Sequence, residues 1–183
     1  MSKILNWGEC LVLARKYADN GSKGSAWTAF DTPVESSTTL ETTEGDKTEA
    51  TVEGGDNEAV RRAKNKYALS LEERMGAGYT YKLDDEDGVI DGEYEVLVVP
   101  KEYDTAPSMY IPKASASVSD SYNSADGTKL KYTFDALKND LTSENKKLGQ
   151  VIWGTVTISG NDPTSFTAFK DTKNTNLLAK SPE

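Results

Sequence analysis

Residues 36–55 read SSTTLETTEGDKTEATVEGG, a stretch of threonine and glutamate with glycine near its middle and at its end. Side chains two residues apart share a face in each half: Thr38, Leu40 and Thr42 in the first, and Thr48, Ala50 and Val52 in the second. This period of two predicts two β-strands. Glu44-Gly45-Asp46 separates them. Because glycine adopts positive φ without steric cost, the pattern predicts a hairpin.

Neither face of this hairpin is apolar enough to form the core of an ordinary domain. Burying such side chains contributes little, whereas ordering the backbone costs roughly 1 to 2 kcal/mol per residue. Two interpretations remain open. Either backbone hydrogen bonds to another sheet edge hold the strands, including an edge from a second copy of the chain, or the segment is disordered.

The composition of the chain predicts a modest β core with long polar appendages. Only 36% of the 183 residues are hydrophobic and the mean hydropathy is -0.62, but three Trp, nine Tyr and four Phe supply bulky anchors. The length fits one domain with extensions. We expect an N-terminal arm and linker over residues 1–26, a β domain over residues 27–160 and a C-terminal extension over residues 161–183.

The charge of the chain argues against a protein that binds nucleic acid through phosphate neutralisation. Thirty acidic residues against 21 basic residues give a formal charge of -9. The lone cysteine, Cys10, forms no intrachain disulfide and does not indicate an oxidising compartment. No signal-peptide pattern is present, and no apolar run approaches the roughly 18 residues of a membrane span. We expect cytoplasmic synthesis and no membrane partner.

Alternating or continuous apolar patterns predict further strands, and these cover residues 66–74, 94–99, 109–119, 129–137 and 150–159. Pro112 confines its strand to a sheet edge or a bulge. The last two strands are expected to pair antiparallel across the loop 138–149. Good helix formers in residues 56–64 predict one short helix. The expected fold is mainly β, an antiparallel sandwich or barrel with one short helix, a long hairpin and terminal arms.

The side chains that common catalytic and metal sites require are scarce. The chain has no histidine, and Cys10 alone forms neither a nucleophile pair nor a zinc site. Residues 84–104 carry nine acids and one base, but alignment to a calcium loop places Leu83 and Tyr94 at ligand positions. No acid between residues 84 and 95 is embedded in an apolar run that would raise its pKa. We expect no enzyme activity, no cofactor and no metal.

The order of the segments resembles that of the tail tube, or major tail, proteins of tailed bacteriophages and their relatives in contractile injection systems. The segments that carry the resemblance lie within residues 27–159 and read LETTEGDKTEATVEGG, KYALSLEER, the acidic Asp-Gly turns, YEVLVVP, DGTKLKYTFDAL and QVIWGTVTI. The resemblance implies a small antiparallel β-sandwich or barrel that forms hexameric rings. The rings stack as the tube of a virion tail, through a long hairpin loop and terminal arms.

The resemblance also supplies a partner for the polar hairpin. It implies that Thr38, Leu40, Thr42, Thr48, Ala50 and Val52 contact a neighbouring subunit or ring. Trp27 and Phe30, in an extended segment before Pro33, are further interface candidates. Glu41, Glu49 and Glu53 are candidates for the lumen, where acidic groups repel the DNA that passes without specific binding. The implied partners are copies of the chain and other tail proteins.

Two other functions fit the same sequence. One is a β-sandwich binding module for carbohydrate or a cell surface, in which Trp27, Tyr79, Tyr81 or Tyr103 stacks on sugars. The other is a different part of a virion, such as a capsid decoration protein.

Overall fold

The computed structural model describes residues 8–101, 106–143, 146–171, 173 and 175–179. Its strands, in chain order, are β1 (Cys10–Lys16), β2 (Thr28–Ala29), β3 (Thr39–Thr43), β4 (Lys47–Thr51), β5 (Asn57–Arg62), β6 (Lys66–Met75), β7 (Asp85–Glu86), β8 (Val89–Pro100), β9 (Ser108–Asn123), β10 (Gly127–Ala136), β11 (Thr142–Ser143), β12 (Lys146–Lys147), β13 (Ile152–Ser159) and β14 (Asp162–Ala168). The prediction of a mainly β fold is confirmed. The short helix predicted over residues 56–64 is wrong, because this segment contains β5, and the helical element of the described residues is a 3₁₀ turn, Leu177–Ala179.

All strand pairs are antiparallel, and the main sheet has the order β2-β1-β8-β9-β10-β6-β3. The β13–β14 hairpin joins the first residues of β9, where Ile152 lies opposite Tyr110. Strand β10 joins β9 from Ala114 onward. The sheet therefore branches at β9, and β8 and β9 are common to both branches. The result is an open antiparallel β-sandwich.

Two hydrophobic clusters lie on opposite faces of the shared strands, because neighbouring residues of a strand point to opposite faces. On β8, Val96 belongs to the first cluster and Leu97 to the second. The first cluster includes Phe30, Tyr132 and Phe134, whose rings meet edge to face. The second lies under β13, β14 and the 3₁₀ turn. Continuous burial of residues 94–97 shows that this strand is buried on both faces.

Pro112 lies at a β-bulge in a central strand. Tyr94 pairs with Ala114 and Val96 with Ile111, so two residues of β9 face one residue of β8. The bulge accommodates a residue that cannot donate a ladder hydrogen bond. Of the two positions that the sequence allows for Pro112, the structure shows the bulge and not the edge.

Three segments differ from the expected organisation. Strand β1, inside the expected N-terminal arm, lies in the main sheet between β2 and β8. Strand β10 pairs with β9 and β6, not with β13, so the predicted pairing across residues 138–149 is wrong. The expected boundary after residue 160 falls in the β13–β14 turn, and the following strand brings the fully buried Phe166 into the second cluster.

Candidate assembly surface

Strands β4 and β5 form a separate two-stranded ribbon, residues 47–62, that pairs with no other strand of the described chain. Ala50 lies opposite Ala59 in the register. Two glycines with positive φ, Gly54 at 109° and Gly55 at 88°, form the tip. The ribbon is thus a local hairpin. Its turn contains Gly54 and Gly55 and does not lie at Glu44-Gly45-Asp46, where the sequence predicts a turn.

The base of the ribbon is tightly closed. The amide of Ala63 donates to the Asp46 carbonyl at 2.8 Å, and the amide of Gly45 donates to the side-chain oxygen of Asn65 at 3.1 Å. A Cβ atom on Gly45 would lie 2.2 Å from the Ala63 carbonyl oxygen. Gly45 is required here by the close approach of the two chain segments and not by the turn that the sequence suggests.

Both faces of the ribbon are open to solvent. The described side chains of β4 and β5 are all exposed, and Val52 and Val60 retain 46% and 49% of their accessible surface. An isolated two-stranded hairpin is marginally stable in water, since it buries little apolar surface. The ribbon therefore presents two unpartnered faces and two open strand edges.

The sequence predicts β3 and β4 correctly as strands but pairs them wrongly. Strand β3 lies on β6, with Thr39 opposite Ser70 and their hydroxyls 3.0 Å apart. Leu40 is half-buried against the first cluster. The long hairpin predicted from residues 36–55 is thus two separate elements, an edge strand of the main sheet and one half of the ribbon. The outer edge of β3 has no partner strand among the described residues.

The predicted interface residues fall on these two elements and in the segments beside them. Thr38 and Leu40 border a cleft next to the β3 edge, and Thr42 is exposed on β3. Thr48 and Ala50 are exposed on β4, and Val52 is exposed in the turn. The structure therefore does not place the six residues on one face.

The predicted lumen residues are all exposed, but they also lie on two sheets. Glu41 is on β3, whereas Glu49 and Glu53 belong to the ribbon and its turn. Glu49 forms an ion pair with Lys47. That these acids face a lumen stays a prediction.

The aromatic candidates divide into covered and exposed side chains. Phe30 is 4% exposed and packs on Tyr132 and Phe134, which corrects its assignment to an interface. The Arg15 guanidinium lies 4.5 Å from the Trp27 ring centroid, and Tyr79 is hydrogen-bonded inside the chain. Tyr81 remains exposed, and Tyr103 lies outside the described residues.

A cleft of about 700 Å³ lies where the main sheet does not close. It separates β3 from the start of β1, and Leu40, Leu69, Met109 and Trp153 contribute apolar surface. Cys10 also lines it, and burial raises the pKa of this thiol, which disfavours the thiolate. The cleft lies beside the unpaired edge of β3.

A buried charge cluster ties the two ends of the described chain to the sheet. Glu95 is fully buried and accepts hydrogen bonds from the Arg15 guanidinium and from the Tyr110 hydroxyl, the latter at 2.6 Å. The Lys23 ammonium lies 3.1 Å from the Glu95 carboxylate and also donates to the carbonyls of Leu177 and Leu178 at 3.0 Å. Burial lowers the pKa of Lys23, while Glu95 opposes that shift.

A second buried carboxylate, Glu73, has no Lys or Arg nitrogen within 4 Å among the described residues. It accepts hydrogen bonds from the Asp31 amide and, at 2.6 Å, from the Tyr79 hydroxyl. Burial raises its pKa above 4.5, partly offset by the two donors. The Tyr79 hydroxyl lies 3.3 Å from that of Tyr132, so a chain of polar groups enters the first cluster.

The sequence contains a signal for each buried carboxylate. Glu95 lies inside the apolar run of residues 94–99, and Glu73 follows Tyr67, Leu69 and Leu71 at period two on the inward face of β6. Glu95 is thus one acid of residues 84–95 that the fold buries in this run. The cations that pair with it are 80 and 72 positions away in the chain, which no local pattern reveals.

In the described part of the chain, no group of three or more His, Cys, Asp or Glu side chains is arranged to hold a metal ion. No helix of these residues is long and apolar enough to cross a membrane. Comparison with known proteins finds no family model that matches the chain and no matching curated protein.

Proposed function

We propose that the protein is a virion structural subunit that assembles with copies of itself into hexameric rings, which stack as the tail tube of a bacteriophage or a related injection system. The single observation that carries this proposal is the ribbon, an ordered element that pairs with no further strand of the residues that the structure describes. The resemblance in segment order supplies the kind of partner.

The energetics of the ribbon support assembly. Ordering each residue costs roughly 1 to 2 kcal/mol, and a ribbon exposed on both faces recovers little of this cost by burial. Contact with a second copy would cover its faces and edges and satisfy their backbone groups. The described chain outside the ribbon, here called the body, contains the two hydrophobic clusters and the buried ion pairs of Glu95. It is a rigid support for such an element.

Open sheet edges support a side-by-side contact between subunits. The edge of β3 carries hydroxyl and carboxylate side chains. Strand β14 also has no second partner strand within the described residues, although the Asn176 side chain bonds the Phe166 amide and the Thr164 carbonyl on its outer side. Strand addition at such edges uses backbone hydrogen bonds and requires little apolar surface. In the proposed ring, these edges join the sheets of adjacent subunits.

The charge of the chain supports a conduit for DNA. At -9 per subunit, a ring of copies presents a strongly negative surface to a polyanion. Like charges repel the phosphates and prevent tight binding, so DNA passes without adhering. Glu41, Glu49 and Glu53 are the proposed contributors from β3 and the ribbon region.

Electron microscopy with light scattering over a concentration series tests this function. The wild-type chain is expected to form hollow rings or tubes. A ribbon-deleted chain, in which two glycines join Asp46 to Ala63, keeps the body and is expected to form no stacked tubes. Circular dichroism and thermal melting verify that its body is folded. A wild-type monomer of 19.9 kDa at every concentration would overturn the proposal, as would normal tubes from the ribbon-deleted chain.

A carbohydrate-binding module is the second candidate, favoured by the cleft and by Trp153, which lines it and remains 42% exposed. Aromatic rings at a cleft stack on sugar rings. Retardation of the wild-type chain in polysaccharide gels, lost in Trp153→Ala, would favour this function. Equal mobility with and without polysaccharide would exclude the polysaccharides tested.

A further inference from the structure

The base of the ribbon is a basic surface on this acidic chain. From residue 59 to residue 71 the sequence has four cations, Arg61, Arg62, Lys64 and Lys66, and no acid. All four side chains are exposed. Among the described residues, none of them has a carboxylate oxygen within 4 Å. Lys147 chiefly lowers the pKa of the Asp140 carboxyl and Lys64 adds to this effect, so Lys64 already faces an acid of its own chain. Arg61 and Arg62 are the two cations of this surface that lie in the ribbon itself.

A complementary surface lies at the start of β8. The acidic turn, Asp84 to Asp87, has four exposed carboxylates, and none has a Lys or Arg nitrogen within 4 Å in the part of the chain that the structure describes. Together with Val89 and Asp91 these residues line an open depression. Val89 is 69% exposed beside the acids, as Val60 is exposed beside Arg61. Each surface thus combines one charge sign with one exposed valine.

The two surfaces are too far apart to meet within one chain. Val89 lies opposite Ser117, Ser117 opposite Thr133, and Thr133 opposite Ser70. Lys66 is four residues before Ser70 on β6. Three strand spacings and four residues along a strand correspond to about 20 Å. Arg61 and Arg62 form no ion pair with the acidic turn among the described residues, so the partner of each surface is sought in a second copy.

We propose that the basic base of the ribbon of one copy docks against the acidic turn, Asp84 to Asp87, of a second copy. This inference rests on the proposed self-assembly and specifies which surfaces meet. The contact is head to tail, because the two surfaces differ and each copy has one of each. Each exposed ion pair contributes little to binding, but the contact is repeated around a ring, so the contributions add. The opposite charges also orient the copies as they approach. The occupant is a second copy of this chain, since its acidic depression matches both the charge and the exposed valine.

Charge reversal in two matched variants tests the contact. The first variant is Arg61→Glu with Arg62→Glu, and the second is Asp84→Lys with Glu86→Lys. Each variant alone cancels the net charge of the altered surface and opposes its two substituted side chains to like charges on the partner surface, so the concentration for half-maximal assembly is expected to rise about tenfold or more at low salt. An equimolar mixture places reversed ribbons against reversed turns and native ribbons against native turns. The mixture is therefore expected to assemble near the wild-type concentration, in alternating order.

A control variant, Lys146→Glu with Lys170→Glu, changes net charge as much as the ribbon variant does but alters neither surface. It is expected to assemble as the wild type does. The inference would be overturned if both charge variants assembled at the wild-type concentration, or if their mixture failed to assemble although each variant is folded. In either case, tubes formed by the wild type would still support the proposed function. A wild-type chain that never assembles would instead overturn the proposed function, and the inference with it.

Discussion

The Tyr110 hydroxyl donates a hydrogen bond of 2.6 Å to the Glu95 carboxylate, and both side chains are completely buried. Glu95 comes from β8 and Tyr110 from β9, the two strands common to both branches of the sheet. The cations that meet this carboxylate, Arg15 and Lys23, also donate to the carbonyl of Leu178. One carboxylate thus organises contacts among the N-terminal residues, the central strands and the 3₁₀ turn.

Glu95→Gln is expected to lower the free energy of unfolding by about 3 kcal/mol, because removing one partner leaves buried cations uncompensated. Urea unfolding followed by tryptophan fluorescence measures this change. Glu93→Gln is the matched control, since Glu93 pairs with Lys113 at the surface and its loss costs below about 1 kcal/mol. Equal losses in the two variants would contradict a special role for the buried cluster.

Glu73→Gln is expected to change the pH dependence of stability. The folded pKa of Glu73 is raised above the unfolded value of 4.5, so the native state holds this proton more tightly. The stability of the wild type relative to the variant is therefore greatest below pH 4.5 and falls as pH rises through the folded pKa. Unfolding of both chains from pH 4 to pH 8 measures the difference, and a flat difference would contradict the prediction.

Tyr79→Phe provides an internal test of the same group. The Tyr79 hydroxyl donates to Glu73 and lowers the pKa of that carboxyl, whereas the nearby Asp31 raises it and Lys82 lowers it. Removing the hydroxyl is expected to shift the loss of stability to higher pH. Stability profiles of Tyr79→Phe and of Tyr79→Phe with Glu73→Gln measure the shift. A shift to lower pH would show that Tyr79 does not stabilise the charged form.

Asp171→Asn is expected to destabilise the C-terminal segment in the neutral range. Asp171 accepts hydrogen bonds from the Ser143 hydroxyl and from the amides of Lys173 and Thr175, and these donors lower its pKa to about 2. Because the folded pKa is below the unfolded 3.8, the stabilisation is present above pH 3.8 and is lost as pH falls through about 2. Melting curves should therefore differ at pH 7 and converge near pH 2. A difference that stays constant with pH would contradict this account.

Gly45→Ala is expected to open the base of the ribbon while the body stays folded, because the added Cβ would lie 2.2 Å from the Ala63 carbonyl oxygen. Limited proteolysis should cut within residues 47–62 faster than in the wild type, and assembly should weaken. Gly76→Ala is the matched control, since no atom lies within 4 Å of its added Cβ. Unchanged proteolysis of Gly45→Ala would show that the ribbon base adjusts without cost.

The strands of the body are predictable from sequence because alternation between buried and exposed side chains is a local property. Residues 66–74 and 129–136 show it clearly, and each lies in a strand of the structure. Residues 94–99 instead form a continuous apolar run, which is equally local and also lies in a strand. Pairing is not local. Strand β3 meets β6, where Leu40 lies opposite Leu69, 29 positions later in the chain, and this choice depends on Leu40 reaching the first cluster.

The error at residues 56–64 has a similar cause. Glu, Ala, Arg and Lys favour helices by less than about 1 kcal/mol per residue, a preference that strand pairing outweighs. Here β5 pairs with β4, and the turn that connects them contains Gly54 and Gly55. The turn therefore lies after the one that the sequence predicts at Glu44-Gly45-Asp46. The candidate surface residues consequently separate onto the edge strand β3 and the ribbon.

The sequence by itself determined the β class, the acidic charge and the presence of a polar segment with too little apolar surface to stabilise its own order. Only the tertiary structure decided that this segment splits at Gly45, that Phe30 belongs to the core, and that Glu95 meets Arg15 and Lys23. The physical reason is the range of the interactions. Alternation and composition are properties of neighbouring residues, whereas strand partners and buried ion pairs depend on which distant segments the two hydrophobic clusters bring together.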